Sequence, residues 1–169
     1  MKRTKGEDLE QHRLEQVLGL VAKEDYHLQA VSKRLFKTEE ISEEWLQALL
    51  ETPEGIDRLE SFGAKFGRMQ DTVMDKLIPQ LLRAAGEIPG TAIDNLNRAE
   101  RLNLISEAND WIIMRRVRNQ LVHEYIDSIT EMVLPLRQAR QFTEDLHKAY
   151  KEIKKYAEDM LGVTIPDYE

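Results

Sequence analysis

Cysteine is absent from the 169 residues, which excludes a disulfide framework, a thiolate zinc site and a cysteine nucleophile, and makes a reducing compartment the natural setting. Proline and glycine are scarce, five and eight, and fall in a few places, so uninterrupted helices fit the composition better than turn-rich sheets. Long apolar stretches are missing as well. Runs such as Trp111-Ile112-Ile113-Met114 are far too short to cross a bilayer, and the opening Met1-Lys2-Arg3-Thr4-Lys5 carries charge where a signal peptide needs an apolar core. A cytoplasmic protein with no membrane contact is the expectation. Basic residues are in deficit, 24 against 31 acidic ones, and a net charge of -7 disfavours sequence-independent binding to long nucleic acid, though a local basic cleft remains compatible with it.

What is present is helical patterning over a length that suits one domain, 1–169. Val17, Leu18, Val21, Leu28, Val31 and Leu35 recur at helical spacing and predict a first long helix over roughly 8–37. Ser42 is a candidate N-cap for a short helix through Trp45, Leu46, Leu49 and Leu50, which Pro53-Glu54-Gly55 should end. Leu59, Phe62, Phe66, Met69, Val73 and Leu77 step by three and four along a second long helix, with Pro79 expected to kink it rather than stop it. Gly86 and Pro89-Gly90 close that helix, and Ile93, Leu96, Ala99 and Leu102 suggest a short connector. A third long helix should start near Ser106-Glu107-Ala108-Asn109 and reach about Tyr125. A fourth carries Ala139, Phe142, Leu146, Ala149, Ile153, Tyr156 and Met160, with Pro135 in its first turn. Together these predict an all-α fold: an up-and-down four-helix bundle with additional short helices.

The third long helix concentrates Arg115, Arg116, Arg118, Asn119 and His123 within nine residues of an otherwise acidic chain. Arg118 and His123 are five positions apart, about 140° around the helix and about 7.5 Å along it, so their heads do not converge within one chain. Two copies of this helix packed antiparallel about a two-fold axis would bring them into one shared cleft, with Leu121 and Val122 as apolar contacts of the interface. These residue types suit metal-independent cleavage of RNA. Histidine can take a proton from a ribose 2′-hydroxyl or return one to the leaving oxygen, and arginine can grip the phosphate and stabilise its developing charge. Asn119 can orient the histidine or bind a phosphate oxygen, and the products would carry 2′,3′-cyclic phosphate and 5′-hydroxyl ends. Arg115 and Arg116 are candidate RNA-binding cations, weighed against the plainer alternative that they are solvated or ion-paired. Asp71 and Asp75, four apart on the second long helix, are placed to meet that basic patch, although ordinary surface carboxylates look the same in sequence.

The segment Arg118-Asn119-Gln120-Leu121-Val122-His123-Glu124-Tyr125 resembles the Arg-Asn-x(3)-His-x-Tyr signature of the HEPN superfamily, most of all the toxins encoded beside minimal nucleotidyltransferase antitoxins. That resemblance implies a homodimeric helical bundle joined through the third long helix, with a metal-independent ribonuclease site at Arg118, Asn119 and His123 that needs no cofactor. It also implies a nucleotidyltransferase partner able to adenylylate Tyr125. Many members of this superfamily only bind partners, so a non-catalytic module docking a nucleotidyltransferase or another protein through the same face is the alternative. An open shared cleft would favour the enzyme, and a packed, ion-paired motif the module.

Glu24-x-x-His27 and Glu144-x-x-His147 have the spacing of carboxylate-bridged di-iron bundles. Arginines at the matching depth of the third helix would repel the metals, and the two elements fall on the first and fourth helices rather than the second and fourth. No metal is expected.

Overall fold

The computed structural model describes residues 2–123, 128–165 and 168, with Val122 and His123 described by backbone alone. Helix α1 spans Lys5–Phe36, α2 Glu43–Leu50, α3 Pro53–Thr72, α4 Ile78–Ala84, α5 Ala92–Arg101, α6 Ala108–His123 and α7 Ile129–Leu161. A π turn, Val73–Leu77, joins α3 to α4 without a break in the rod. Four rods therefore carry the architecture, and α1 packs on α3 and α7 while α6 packs on the same two. Residue pairings fix their directions. Thr72 meets Glu24 and Gln80 meets Glu10, so α3–α4 runs against α1; Gln29 meets Thr143 and Gln11 meets Leu161, so α7 does too. Arg118 facing Asp71 and Arg115 facing Asp75 set α6 against α3, completing the up-and-down bundle.

The stripes that predict the helices are the stripes that are buried. Leu59, Phe62, Phe66, Met69, Val73 and Leu77 all lie in the core, as do Ala139, Phe142, Leu146, Ala149 and Ile153 from α7. Trp45, Phe36, Phe62 and Phe66 follow one another near one end, with ring centroids 5.7, 4.9 and 5.9 Å apart and the Phe36–Phe62 pair edge to face, and this is how the short α2 closes over the bundle. The outer members of two stripes depart from expectation: Ile93, Leu102 and Met160 are exposed. All three lie at the ends of their helices, so spacing alone does not bury them.

Several boundaries also refine or correct the sequence reading. Helix α2 ends at Leu50, just before Pro53-Glu54-Gly55 as expected, and the same segment begins α3, where Thr52 caps the Gly55 amide and proline occupies the first turn, a position that needs no amide donor. Pro135 lies inside α7, not in its first turn, because Ser128 caps that helix several residues earlier. Pro79 is accommodated as expected. Having no N–H, it cannot bond to the carbonyl four residues back, and the π turn precedes it so that the rod continues. Gly86, at φ 82°, then stops α4: its amide bonds to Arg83 and the Glu87 amide to Leu82, satisfying carbonyls the helix leaves open.

Candidate functional site

Helix α6 is positioned from both sides before any of its polar residues matter. Glu100 at the end of α5 accepts the Ala108 amide at 3.2 Å, supplying a cap at the start of α6. Trp111, Met114, Val117 and Leu121 form the buried stripe, which turns Arg116 and Asn119 outward and leaves Arg115 and Arg118 half-buried along the α3 border. Leu121 belongs to this stripe and not to a free apolar face. It packs beside Gly63, where an added Cβ would stand 4.0 Å from its own, so the expectation that Leu121 serves a dimer interface is corrected.

Across the α3–α6 border the expected plain surface carboxylates turn out to be paired. Asp71 Oδ2 accepts from Arg118 Nη2 at 2.9 Å, and Arg115 Nη2 donates to both oxygens of Asp75 at 2.8 Å. The register is simple: on antiparallel helices, carboxylates four apart face arginines three apart. Arg118 Nη1 also donates to Asn119 Oδ1 at 3.0 Å, which uses one of the two lone pairs of that amide oxygen. The stem of Arg118 lies against Gly67, where any Cβ would come within 3.3 Å of its Cγ and Nε. Its Nε is buried and has no hydrogen-bond partner among the described residues.

These contacts make Arg118 a pre-oriented cation of limited exposure, with 31% of its side chain accessible. A guanidinium has five N–H bonds; one serves Asp71 and one Asn119, so among the described residues one on each terminal nitrogen has no partner. The expected site residues thus divide. Arg115, Arg118 and Asn119 are brought together, Arg116 stands exposed on the adjoining face, and the His123 side chain and Tyr125 lie outside the described residues. Gly67 and the pair Asp71 and Asp75 are the contributors that sequence reasoning undervalued. Their signal is the i,i+4 spacing on a helix predicted to run beside a basic one.

The two Glu-x-x-His elements do not form a common centre. His147 Nδ1 lies 2.8 Å from Asp25 Oδ2, whereas Glu24 points to Thr72 on the α3 side. Among the described residues no three histidine, aspartate or glutamate side chains are grouped to hold a metal ion, and none of the described helices is long and apolar enough to cross a membrane. No family model, curated protein or solved structure matches this chain.

Proposed function

We propose that the chain is a HEPN-type, metal-independent ribonuclease that works as a homodimer through α6, with RNA as substrate and a minimal nucleotidyltransferase as its antitoxin partner. The carrying observation is that Arg118 is held at the surface border of α6 with, among the described residues, an N–H left on each terminal nitrogen. A phosphodiester oxygen pair matches that remaining edge, and a charge-assisted contact there stabilises the negative charge that builds during in-line attack. His123, one helical turn beyond Asn119, is assigned proton transfer with the 2′-hydroxyl or the leaving 5′-oxygen. Arg116 and Arg115 supply local positive charge in an acidic molecule, and Tyr125 is the assigned target of the partner. Incubating the purified protein with RNA in excess chelator and determining the product ends tests the chemistry. Cyclic phosphates are the expected result, and 3′-hydroxyl ends would contradict a 2′-hydroxyl attack.

One observation favours a second reading, a non-catalytic docking module. Both Arg115 and Arg118 already face a carboxylate of their own chain, which lowers the net positive potential available to RNA. Exposed ion pairs of this kind contribute only about 0–1 kcal/mol, however, and a phosphate group that takes the remaining N–H groups of Arg118 leaves the Asp71 contact in place.

A further inference from the structure

Far from the arginines, the α1–α7 seam holds a cleft of about 410 Å³, within the range of about 300–1,000 Å³ typical of small-molecule sites. Its polar centre is built, not incidental. Asp25 is buried with 6% exposure; its Oδ2 meets His147 Nδ1 at 2.8 Å and its Oδ1 accepts from Gln29 Nε2 at 3.3 Å. Gln29 is itself tied to the Thr143 carbonyl on α7. With Nδ1 committed to the carboxylate, Nε2 is the remaining polar atom of the His147 ring, on a side chain that keeps 41% of its surface accessible.

The two ends of the cleft differ in chemistry. Tyr26 and Tyr168 meet edge to face at 5.2 Å beside Asp25, and both are substantially exposed despite being aromatic. Tyr150 lies three residues beyond His147 on the same side, with Lys151 Nζ 5.6 Å from its ring centre. Toward the other end Lys33 stands eight residues beyond Asp25 on α1, about 12 Å along the helix, and its flexible stem can reach back over the cleft. Ala30 lines the α1 wall between Gln29 and Lys33, and Ala22 lines it on the far side of Asp25.

Aromatic rings with Lys151 beside them, then the hydrogen-bonding groups of Asp25, His147 and Gln29, then Lys33 line one groove. We propose that this cleft is a binding site for a 5′-ribonucleoside monophosphate: the base stacks on Tyr26 and Tyr168, the ribose hydroxyls bond to His147 Nε2 and Gln29 Oε1, and the phosphate pairs with Lys33. Aromatic faces accept any base, so the site recognises the class rather than one nucleotide. It lies on a different helix pair from Arg118 and stands independently of the ribonuclease proposal.

Titration calorimetry of the full chain with AMP, GMP, CMP and UMP tests it, with the matching nucleoside and inorganic phosphate as separate ligands. At least one monophosphate should bind once per chain, tenfold or more tightly than its nucleoside or phosphate alone. Tyr26→Ala and Lys33→Ala, both at exposed positions, should each weaken that binding about tenfold while the helical circular dichroism stays unchanged. No heat from any of the four nucleotides at millimolar concentration, or binding untouched by both substitutions, would overturn the assignment.

Discussion

Arg118 Nη2 lies 2.9 Å from Asp71 Oδ2, so the arginine of the Arg-Asn-x(3)-His segment is anchored by a neighbouring helix and not only by its own. Because the stem also rests against Gly67, the direction of the guanidinium is set before any ligand arrives. Asp71 is therefore a positioning residue for the proposed reaction. Asp71→Ala should lower the RNA cleavage rate about tenfold with little loss of RNA affinity, since a repulsive carboxylate leaves at the same time. A faster variant would make Asp71 a brake on Arg118 instead.

The proposed dimer needs a surface, and Arg116 and Asn119 are exposed positions in the second half of α6 that the buried stripe turns outward. Arg116→Glu combined with Asn119→Glu should convert a dimer to monomers in sedimentation velocity with helicity retained. An unchanged sedimentation coefficient would put the interface elsewhere. Leu121→Asp cannot serve this purpose, because Leu121 is 6% exposed and its loss would unfold the protomer itself.

How much of this was legible in sequence follows from what a helical period can carry. Period 3.6 reports which residues share a face, so the buried stripes through Phe62 and Phe66 and through Leu146 and Ala149 were readable, and with them the four rods. A period does not report what the opposite face meets. The Asp71–Arg118 and Asp25–His147 pairs join residues 47 and 122 positions apart, and only the antiparallel register of the rods brings them together. The start of α3 is not fixed by its apolar period: Pro53 stops one helix and starts another equally well, and the Thr52 cap sets the start.

That corner carries its own prediction. Replacing a helical glycine by alanine ordinarily stabilises by about 1 kcal/mol. At Gly55, however, a Cβ would sit 1.9 Å from the Leu49 carbonyl oxygen, a backbone atom with nowhere to move. Gly55→Ala should therefore lower the melting temperature, by about 5 °C or more for a chain of this size. A higher melting temperature would mean that the turn between α2 and α3 opens without cost.

Glu24 gives a pH signature. Burial pushes its carboxyl above the ordinary value of 4.5, against the opposing effects of the Thr72 hydroxyl and of Arg68 and Lys76, and its Oε2 has no partner among the described residues. Thr72 Oγ1 is 2.9 Å from both Glu24 Oε1 and the Arg68 carbonyl, and its single proton serves one at a time; a protonated Glu24 can donate to Thr72 while Thr72 donates to Arg68. The folded chain then binds more protons than the unfolded one between the unfolded and the raised folded pKa, so this group's contribution to stability falls as pH rises through that window. Glu24→Gln should raise the melting temperature at pH 7, with the gain shrinking as pH falls toward 4.5. A loss of equal size at every pH would show that the carboxyl is not the group under strain.

The most direct measurement of the central claim is RNA cleavage by the wild-type chain, Arg118→Ala and His123→Ala side by side in excess chelator, with circular dichroism confirming equal helicity. The account predicts cleavage by the wild type and a loss of at least a hundredfold in each variant. Cleavage that survives both substitutions, or none by the wild type on any RNA offered, would contradict it, and the latter would leave α6 as a docking surface.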